Sequence, residues 1–255
     1  MPDLAPGASI FAVGQATETT DSLYLVSLFW RPALQFLILV TIMTQISEAA
    51  ADNQVRYVAV GDSYSIGEGA SPEQSWPSLL TRHLASEGIK IALVANPSVT
   101  GWTTQQAIDR ELPVFRDAKP TFATLLIGVN DWVQGLTEEK FRHNFSYLVE
   151  QMLACLPDRN RLLIITIPDF SVTPNGPKYA GGRDIAQGIQ SFNRIIADES
   201  VRLGLRVVDI FLLSQKMRED PSLVASDGLH PSAKTYEEWE KIIFAAAFEL
   251  LNHGR

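Results

Sequence analysis

Residues that would indicate redox chemistry, a metal site or nucleic-acid binding are scarce in this sequence. Its 255 residues include one cysteine, Cys155, so no internal disulfide can form, and in the apolar context EQMLACLP this thiol is expected to pack as a small hydrophobic side chain. No cluster of His, Cys or carboxylate residues has metal-ligand spacing, which predicts neither a metal nor a cofactor. The 21 Lys and Arg residues are outnumbered by 29 Asp and Glu residues, and the net charge of −8 argues against nucleic acid as a partner.

Long apolar runs are also rare, and the one near the N-terminus, ALQFLILVTIM at 33–43, is short. At about 1.5 Å per helical residue it reaches roughly half of a hydrocarbon core about 30 Å thick, which disfavours a stable membrane span. Arg31 before it and the small residues of TQISEAAAD after it are typical of a signal peptide, so we expect export to the periplasm or the medium, with cleavage near Ala51. The alternatives are a membrane anchor at 23–43, with Arg31 and Pro32 in its middle, and a buried helix.

Residues 1–51 are therefore expected to form an N-terminal extension, and residues 52–255 one folded domain. The stretch MPDLAPGASIFAVGQATETTD contains acidic but no basic residues, unlike the start of a signal peptide, which suggests that translation begins within 22–30. Membrane contact is expected only if the N-terminal segment stays uncleaved.

After Asp52, short runs rich in β-branched residues alternate with longer amphipathic segments. Buried strands are predicted at 55–60, 90–95, 121–128, 161–168 and 205–210. Helices are predicted near 75–87, 103–117, 137–156, 184–203 and 232–251. Strand followed by helix, repeated along the chain, predicts an α/β fold in which a parallel sheet is covered by helices on both faces.

The polar, glycine-containing segments follow these strands, which is where parallel sheets bind ligands. The first four strands are followed in turn by GDSYS, NPSVTGWTT, GVNDW and PDFSVTPNGPKYAGG, and SDGLHPS lies between the fifth strand and the last helix. The segment 168–182 is the one long loop and is expected to form a lid or wall.

Ser63, in GDSYS, becomes a nucleophile only if a base can take its proton. His230 lies in the loop SDGLHPS, and Asp227 precedes it by three residues, close enough to hold the imidazole in one tautomer. Taken alone, Ser63 is more simply a helix N-cap or a turn residue. The other histidines lie in helix-type or terminal segments and are expected to be structural: His83, His143 and His253.

Acyl transfer also needs donors for a developing oxyanion. Gly101 follows the second strand, where the lack of a Cβ lets the backbone approach a substrate, and Asn130 follows the third strand with a side-chain amide. Each is equally a turn or cap residue when taken alone. Asp62 and Asp131, beside these residues, are expected to brace the loops by hydrogen bonds.

Other nucleophile and phosphate motifs are absent. GDSYSIGEG lacks the Lys-Ser/Thr of a P-loop and the spacing of GxGxxG, and GxSxG does not occur at Ser63.

Together, GDSYS, Gly101 in NPSVTGWTT, GVND and DGLHP resemble, in order and spacing, the four sequence blocks of the SGNH hydrolases, also called the GDSL family of esterases and lipases. The resemblance covers essentially all of 55–250. It implies a flavodoxin-like, three-layer α/β/α sandwich with a five-stranded parallel sheet, and a Ser-His-Asp hydrolase of short-chain carboxylic esters or thioesters. Residues 52–255 would be its catalytic domain.

Carried over by position, the resemblance implies a role for each block. Ser63 would be the nucleophile and the first oxyanion donor, with Gly101 and Asn130 as the second and third donors. His230 would be the general base and Asp227 its orienting partner.

Two positions depart from the family's usual pattern, since Tyr64 and Ser98 stand where a leucine and a glycine are common. Neither would supply a catalytic group, so we expect them to alter the shape of the pocket and not the activity.

The substrate is predicted only as a small-molecule ester, because no residue pattern sets the acyl length or the oligomeric state. Aromatic residues near the site could line an acyl or aryl pocket or pack in the core: Trp102, Trp132, Phe170 and Tyr179. A carbohydrate deacetylase or an acyltransferase would use the same residues, and a non-catalytic binding module would use the same cleft.

Overall fold

The computed structural model describes residues 54–252. The predicted N-terminal extension, the apolar run at 33–43, the cleavage site near Ala51 and His253 lie outside the described residues. In the part that is described, no helix combines the length and the apolar character needed to cross a membrane.

Five strands form one parallel sheet in the order β2-β1-β3-β4-β5. The strands are β1 Val55–Gly61, β2 Ile91–Ala95, β3 Phe122–Leu126, β4 Leu162–Ile165 and β5 Arg206–Val208. The residues of β3 and β4 are all buried, as continuous apolar strands are when helices cover both faces of the sheet. This strand order is the flavodoxin-like one, and it confirms the predicted fold class.

The helices that connect the strands are α1 Ser63–Ile66, α2 Trp76–Ser86, α3, α4 Val129–Val133, α5 Glu138–Leu153, α6 Ile185–Leu203, α7 Phe211–Ser214 and α8 Ala233–Asn252. Helix α3 has three consecutive segments, Thr104–Gln106, a π-helical turn at Ala107–Glu111, and Leu112–Asp117. Short 3₁₀ turns lie at Pro72–Gln74, Arg159–Arg161, Phe170–Val172, Gly176–Tyr179, Gln215–Arg218 and Pro221–Leu223.

Helices α2 and α8 pack on each other in one layer, while α5 packs on α3 and α6 in another. In the first layer, the buried rings of Tyr236 and Trp239 meet edge to face at 5.6 Å. In the second, Phe141 of α5 stacks on Phe192 of α6 at 4.1 Å. Such aromatic contacts contribute about 0.5–1.5 kcal/mol each beyond the burial of their area.

The predicted strands and long helices all occur, with ends that differ by a few residues. The π-helical turn in α3 was not predicted. Pro113 follows it and lacks the N–H that an α-helix would direct to the carbonyl of Asp109, so the regular hydrogen-bond ladder cannot continue there.

Candidate active site

The loops that carry the candidate residues are hydrogen-bonded to one another at the carboxyl end of the sheet. Asn96, after β2, donates from Nδ2 to the Ser65 carbonyl of α1 at 2.9 Å. Asn130, after β3, donates from Nδ2 to the Trp102 carbonyl at 2.9 Å. These contacts tie together the loops predicted to act as one site.

Ser63 is the first residue of α1 and not its cap. The N-cap is Asp62, whose Oδ1 accepts from the Tyr64 N–H at 3.1 Å, so the interpretation of Ser63 as an N-cap is wrong. The Ser63 carbonyl accepts from the N–H groups of Gly67 and Glu68, which closes the short helix. Ser63 is 5% exposed, and its hydroxyl makes no hydrogen bond within residues 54–252.

Asp227 and His230 form a compact unit within one turn. The two side chains meet at 2.5 Å between Asp227 Oδ2 and His230 Nδ1, and Asp227 Oδ1 accepts from the N–H groups of Leu229 and His230 at 2.9 and 3.0 Å. A carboxylate only accepts, so Nδ1 carries the proton and Nε2 keeps its lone pair. Partial burial acts to raise the pKa of Asp227, but the hydrogen bonds from His230 and the two N–H groups outweigh it and hold that pKa below its usual value.

His230 lies against the segment that begins with Ser63. Its ring meets the Tyr64 ring edge to face at 6.1 Å. A Cβ at Gly69 would lie 3.3 Å from the His230 Cβ, and Gly69 has φ of +93°, so a glycine is required where the two segments touch. Ser63 Oγ and His230 form no hydrogen bond in the described structure, and such contacts often tighten only when substrate binds.

Three N–H donors at the site have no acceptor among the described residues: the Ser63 backbone, the Gly101 backbone and the second hydrogen of the Asn130 amide. Ser63 lacks an acceptor because the first N–H groups of a helix have no partner within it. Gly101 has φ of +85° with open space around it, so its backbone conformation and not crowding selects glycine. Unpaired donors on adjoining loops can stabilise an oxyanion.

Asp131 braces these loops, as predicted. Its buried carboxylate accepts from the Thr104 N–H at 2.8 Å and from the Thr104 hydroxyl, which itself accepts from Asn144 Nδ2 at 3.2 Å. Burial raises the pKa of Asp131 to about 6, with the Thr104 hydrogen bonds opposing the rise. The start of α3 is thereby fixed to α4, which carries Asn130.

The four candidate aromatics lie in different surroundings. Trp132 and Phe170 are 5% and 3% exposed and meet edge to face at 6.0 Å, and the Arg183 guanidinium covers the Trp132 ring at 4.0 Å. This pair packs in the core, and its part in a substrate pocket stays a prediction. Trp102 is half-buried and Tyr179 is 44% exposed, so their place in a pocket stays a prediction.

Asn175, in the long loop after β4, holds the Asp227–His230 turn and was missed in the sequence. Its Nδ2 donates to the Asp227 carbonyl at 2.6 Å, and its backbone N–H donates to the Gly228 carbonyl at 2.8 Å. The motif Pro-Asn-Gly indicates only a turn. Nothing in the local sequence shows that the Asn175 side chain binds a carbonyl 52 residues later in the chain.

Two cavities lie near these loops, and none of the candidate catalytic or oxyanion residues lines either of them. One of about 240 Å³ lies between Thr103, Asp131, Leu136 and Asn144. The other, of about 270 Å³, lies between the long loop and the turn that contains Gly228. Within residues 54–252, no three His, Cys, Asp or Glu side chains are grouped to hold a metal ion.

Fold and site together define a flavodoxin-like α/β/α hydrolase with a serine at the end of β1 and an Asp-His pair before the last helix. Residues 59–238 match the model of the GDSL-like lipase/acylhydrolase family, and the chain belongs to that family. The predicted resemblance and the class of enzyme, a carboxylic ester hydrolase, are thereby confirmed.

The chain is similar to an arylesterase of Vibrio mimicus, with 26% identity over 80% of this chain and 92% of that one. It is also similar to thioesterase 1/protease 1/lysophospholipase L1 of Escherichia coli K12, with 23% identity over 80% and 85%. Among solved structures, the psychrotrophic esterase EstA of a Pseudoalteromonas species has a TM-score of 0.61 at 22% identity, over 78% of this chain and 100% of that one.

Proposed function

We propose that the protein hydrolyses small carboxylic esters through an acyl-enzyme on Ser63. The observation that carries the proposal is the 2.5 Å contact between Asp227 and His230, in a turn that packs against the residue after Ser63. This is the arrangement that a serine nucleophile needs, because the free His230 Nε2 can take the hydroxyl proton while Asp227 stabilises the imidazolium.

In acylation, Ser63 Oγ attacks the ester carbonyl carbon and His230 Nε2 accepts the proton. The tetrahedral intermediate collapses, its C–O bond to the alcohol breaks, and His230 returns the proton to the leaving oxygen. In deacylation, water attacks the acyl-enzyme while His230 again accepts a proton. The acid leaves, and the proton returns to Ser63 Oγ.

Charge on the carbonyl oxygen develops in both halves of the reaction. The N–H groups of Ser63 and Gly101 and the Asn130 amide are the proposed donors to it. Asn130 is oriented by its contact to the Trp102 carbonyl, which uses one amide hydrogen and leaves the other for the substrate. A donor fixed in advance costs no reorganisation when charge appears, which is why one such donor contributes about 10²–10³ in rate.

We propose short acyl or aryl esters as the substrate class. Two similar proteins are named arylesterase and thioesterase, so an aryl ester and a thioester should be among the substrates compared.

Hydrolysis of p-nitrophenyl esters from acetate to palmitate, by the protein and by Ser63→Ala, tests the proposal. We expect turnover that is largest for the shortest chains and vanishes with Ser63. Equal turnover by the two proteins would contradict it. If neither turns over an ester and no fluorophosphonate labels Ser63, a binding module is the better description. A label without turnover points to a special substrate, such as a sugar ester for a deacetylase or an acyl donor for a transferase.

For the N-terminal part we propose export, with residues 1–51 as an extension carrying the signal and 52–255 as the catalytic domain. The support is the apolar run at 33–43 between Arg31 and the small residues around Ala51. N-terminal sequencing of the natural product should begin near residue 52. A product that retains 23–43 and sediments with membranes would favour the anchor instead.

A further inference from the structure

Two buried carboxyl groups beneath the Ser63 turn take no part in the proposed reaction. Asp62 and Glu111 are both 0% exposed. Each uses one oxygen, since Asp62 Oδ1 accepts from the Tyr64 N–H and Glu111 Oε2 accepts from the Gly61 N–H at 3.0 Å. The other oxygens, Asp62 Oδ2 and Glu111 Oε1, are buried with no hydrogen-bond partner among the described residues. A buried polar atom without a partner costs free energy, so this arrangement needs a physical reason.

Glu111 lies next to the Gly61 N–H because of the irregular part of α3. Glu111 is the last residue of the π-helical turn Ala107–Glu111, and such turns are rare and frequent at functional sites. The Gly61 N–H lies beyond Val58 and Ala95, the last pair of β1 and β2, so β2 offers no acceptor there. Glu111 supplies that acceptor from 50 residues away and so fixes the end of β1 directly before Ser63.

The ionisable groups around the pair add no positive charge. The negative charge of Asp62 raises the pKa of Glu111, and the negative charge of Asp131 in α4 raises the pKa of Asp62. Tyr64 of α1 and Tyr236 of α8 also face Asp62, and burial raises the pKa of both phenols, which keeps them neutral. Burial raises the pKa of Asp62 to about 8 and that of Glu111 to about 8; backbone hydrogen bonds oppose the rise, and nearby like charge adds a smaller increase.

We propose that Glu111 is a positioning residue for Ser63, whose buried side chain holds the end of β1, directly before Ser63, by accepting from the Gly61 N–H. The proposal rests on the proposed function, because it takes Ser63 as the nucleophile. Burial favours the neutral form of both carboxyl groups, so that no charge has to be buried beneath the turn. Glu111 touches no reacting atom and acts through the Gly61 N–H.

The sign of the pH dependence follows from proton binding. In the folded protein both carboxyl groups keep their protons to about pH 8, whereas their ordinary pKa values are 3.8 for Asp and 4.5 for Glu. The stability that the pair contributes is therefore fully present below those ordinary values and is lost as the pH rises through about 8.

Urea unfolding of the full chain between about pH 5 and pH 9 tests the protonation of the two buried carboxyl groups without using catalysis. The urea midpoint of the wild type should fall as the pH rises. Glu111→Gln should lose less, because its amide still accepts from Gly61 and does not titrate. Asp62→Asn should likewise lose less than the wild type, and the double variant should lose least. Glu87→Gln, at an exposed acid at the end of α2, is the control and should follow the wild type. A Glu111→Gln profile as steep as the wild type's, or a flat wild-type profile, would overturn a neutral Glu111 beneath the turn.

The rate at which a fluorophosphonate labels Ser63 tests the positioning role. Glu111→Ala should label roughly tenfold more slowly, since a small misplacement of a reacting group costs that much or more, and Glu111→Gln should recover most of the loss. Labelling of the wild type should fall above about pH 8, while labelling of Glu111→Gln should not. A Glu111→Ala rate equal to the wild type's would overturn the role. No labelling of the wild type at any pH, with the urea results as expected, would refute Ser63 as nucleophile and leave the protonation of the buried carboxyl groups standing.

Discussion

The two halves of the site differ in how far their contacts reach. The Asp227–His230 turn is held mostly by local bonds, because Asp227 accepts from two N–H groups and one ring nitrogen within three residues, and Asn175 adds two hydrogen bonds from outside. The Ser63 turn is closed from outside, by Glu111 on Gly61 and by Asn96 on Ser65. The carboxyl groups respond accordingly, since the pKa of the partly exposed Asp227 is lowered and that of the buried Glu111 is raised.

His230, the proposed base, is held mainly by contacts within its own turn, whereas the turn of Ser63, the proposed nucleophile, depends on residues distant in the sequence. A change inside the base turn should therefore damage chemistry more than stability. A change under the Ser63 turn should affect both.

The largest loss is expected for Ser63→Ala, which removes the nucleophile from the buried half. Turnover of p-nitrophenyl acetate should drop by roughly 10⁶-fold, as when a triad serine is removed. Stability should change little, because the Ser63 hydroxyl makes no hydrogen bond in the described structure. Ser65→Ala, at the neighbouring buried serine of the same helix, is the matched control and should keep its turnover. A Ser63→Ala variant that still turns over the ester would rule out the mechanism.

Asp227→Asn tests the base turn. An amide cannot hold the imidazole in the required tautomer, so kcat should fall by about 10⁴-fold while the fold is retained. If kcat changes less than tenfold, Asp227 does not orient His230 during the reaction.

Asn130→Ala removes one proposed oxyanion donor. The expected drop in kcat is about 10²–10³-fold with KM nearly unchanged, because the donor acts on charge that appears in the transition state. A rise in KM with normal kcat would instead assign Asn130 to ordinary substrate binding.

Asn175→Ala tests whether the base turn needs outside support. It removes the hydrogen bond to the Asp227 carbonyl and leaves the backbone contact to Gly228, so kcat should fall roughly threefold to tenfold, as for one hydrogen bond. Asn160→Ala, at an exposed asparagine in the 3₁₀ turn before β4, is the control. An unchanged kcat would show that the Asp227 turn holds itself.

The smallest effect concerns acid stability. Because the pKa of Asp227 is lowered on folding, its contribution is present above its ordinary pKa and is lost as the pH falls through the lowered value. Urea midpoints of the wild type should fall on acidification, and Asp227→Asn should fall slightly less. If the variant falls more, the sign assigned to Asp227 is wrong.

The same contrast explains what could be predicted from the sequence. Strands and helices followed from apolar spacing because each is a local pattern, and the Asp227–His230 pair was apparent because its partners are three residues apart. Glu111 and Asn175 were missed, since each acts on backbone 50 or more residues away and neither lies in a motif.

Two other points needed tertiary information. The N-cap of α1 is Asp62 and not Ser63, because the Asp62 side chain accepts from the Tyr64 N–H. The sequence Gly-Asp-Ser is compatible with either residue as the cap. Trp132 and Phe170 follow strands, as pocket residues do, yet they pack on each other beneath Arg183. The sequence alone does not show this packing of α4 against the long loop.

The most direct test of the central claim is to treat the protein with a fluorophosphonate and locate the label by peptide mass spectrometry. We predict one label per chain, on Ser63 and not on Ser65, with none on Ser63→Ala. A label on any other residue, or no label on a folded wild-type protein, would contradict the assignment of Ser63 as the nucleophile.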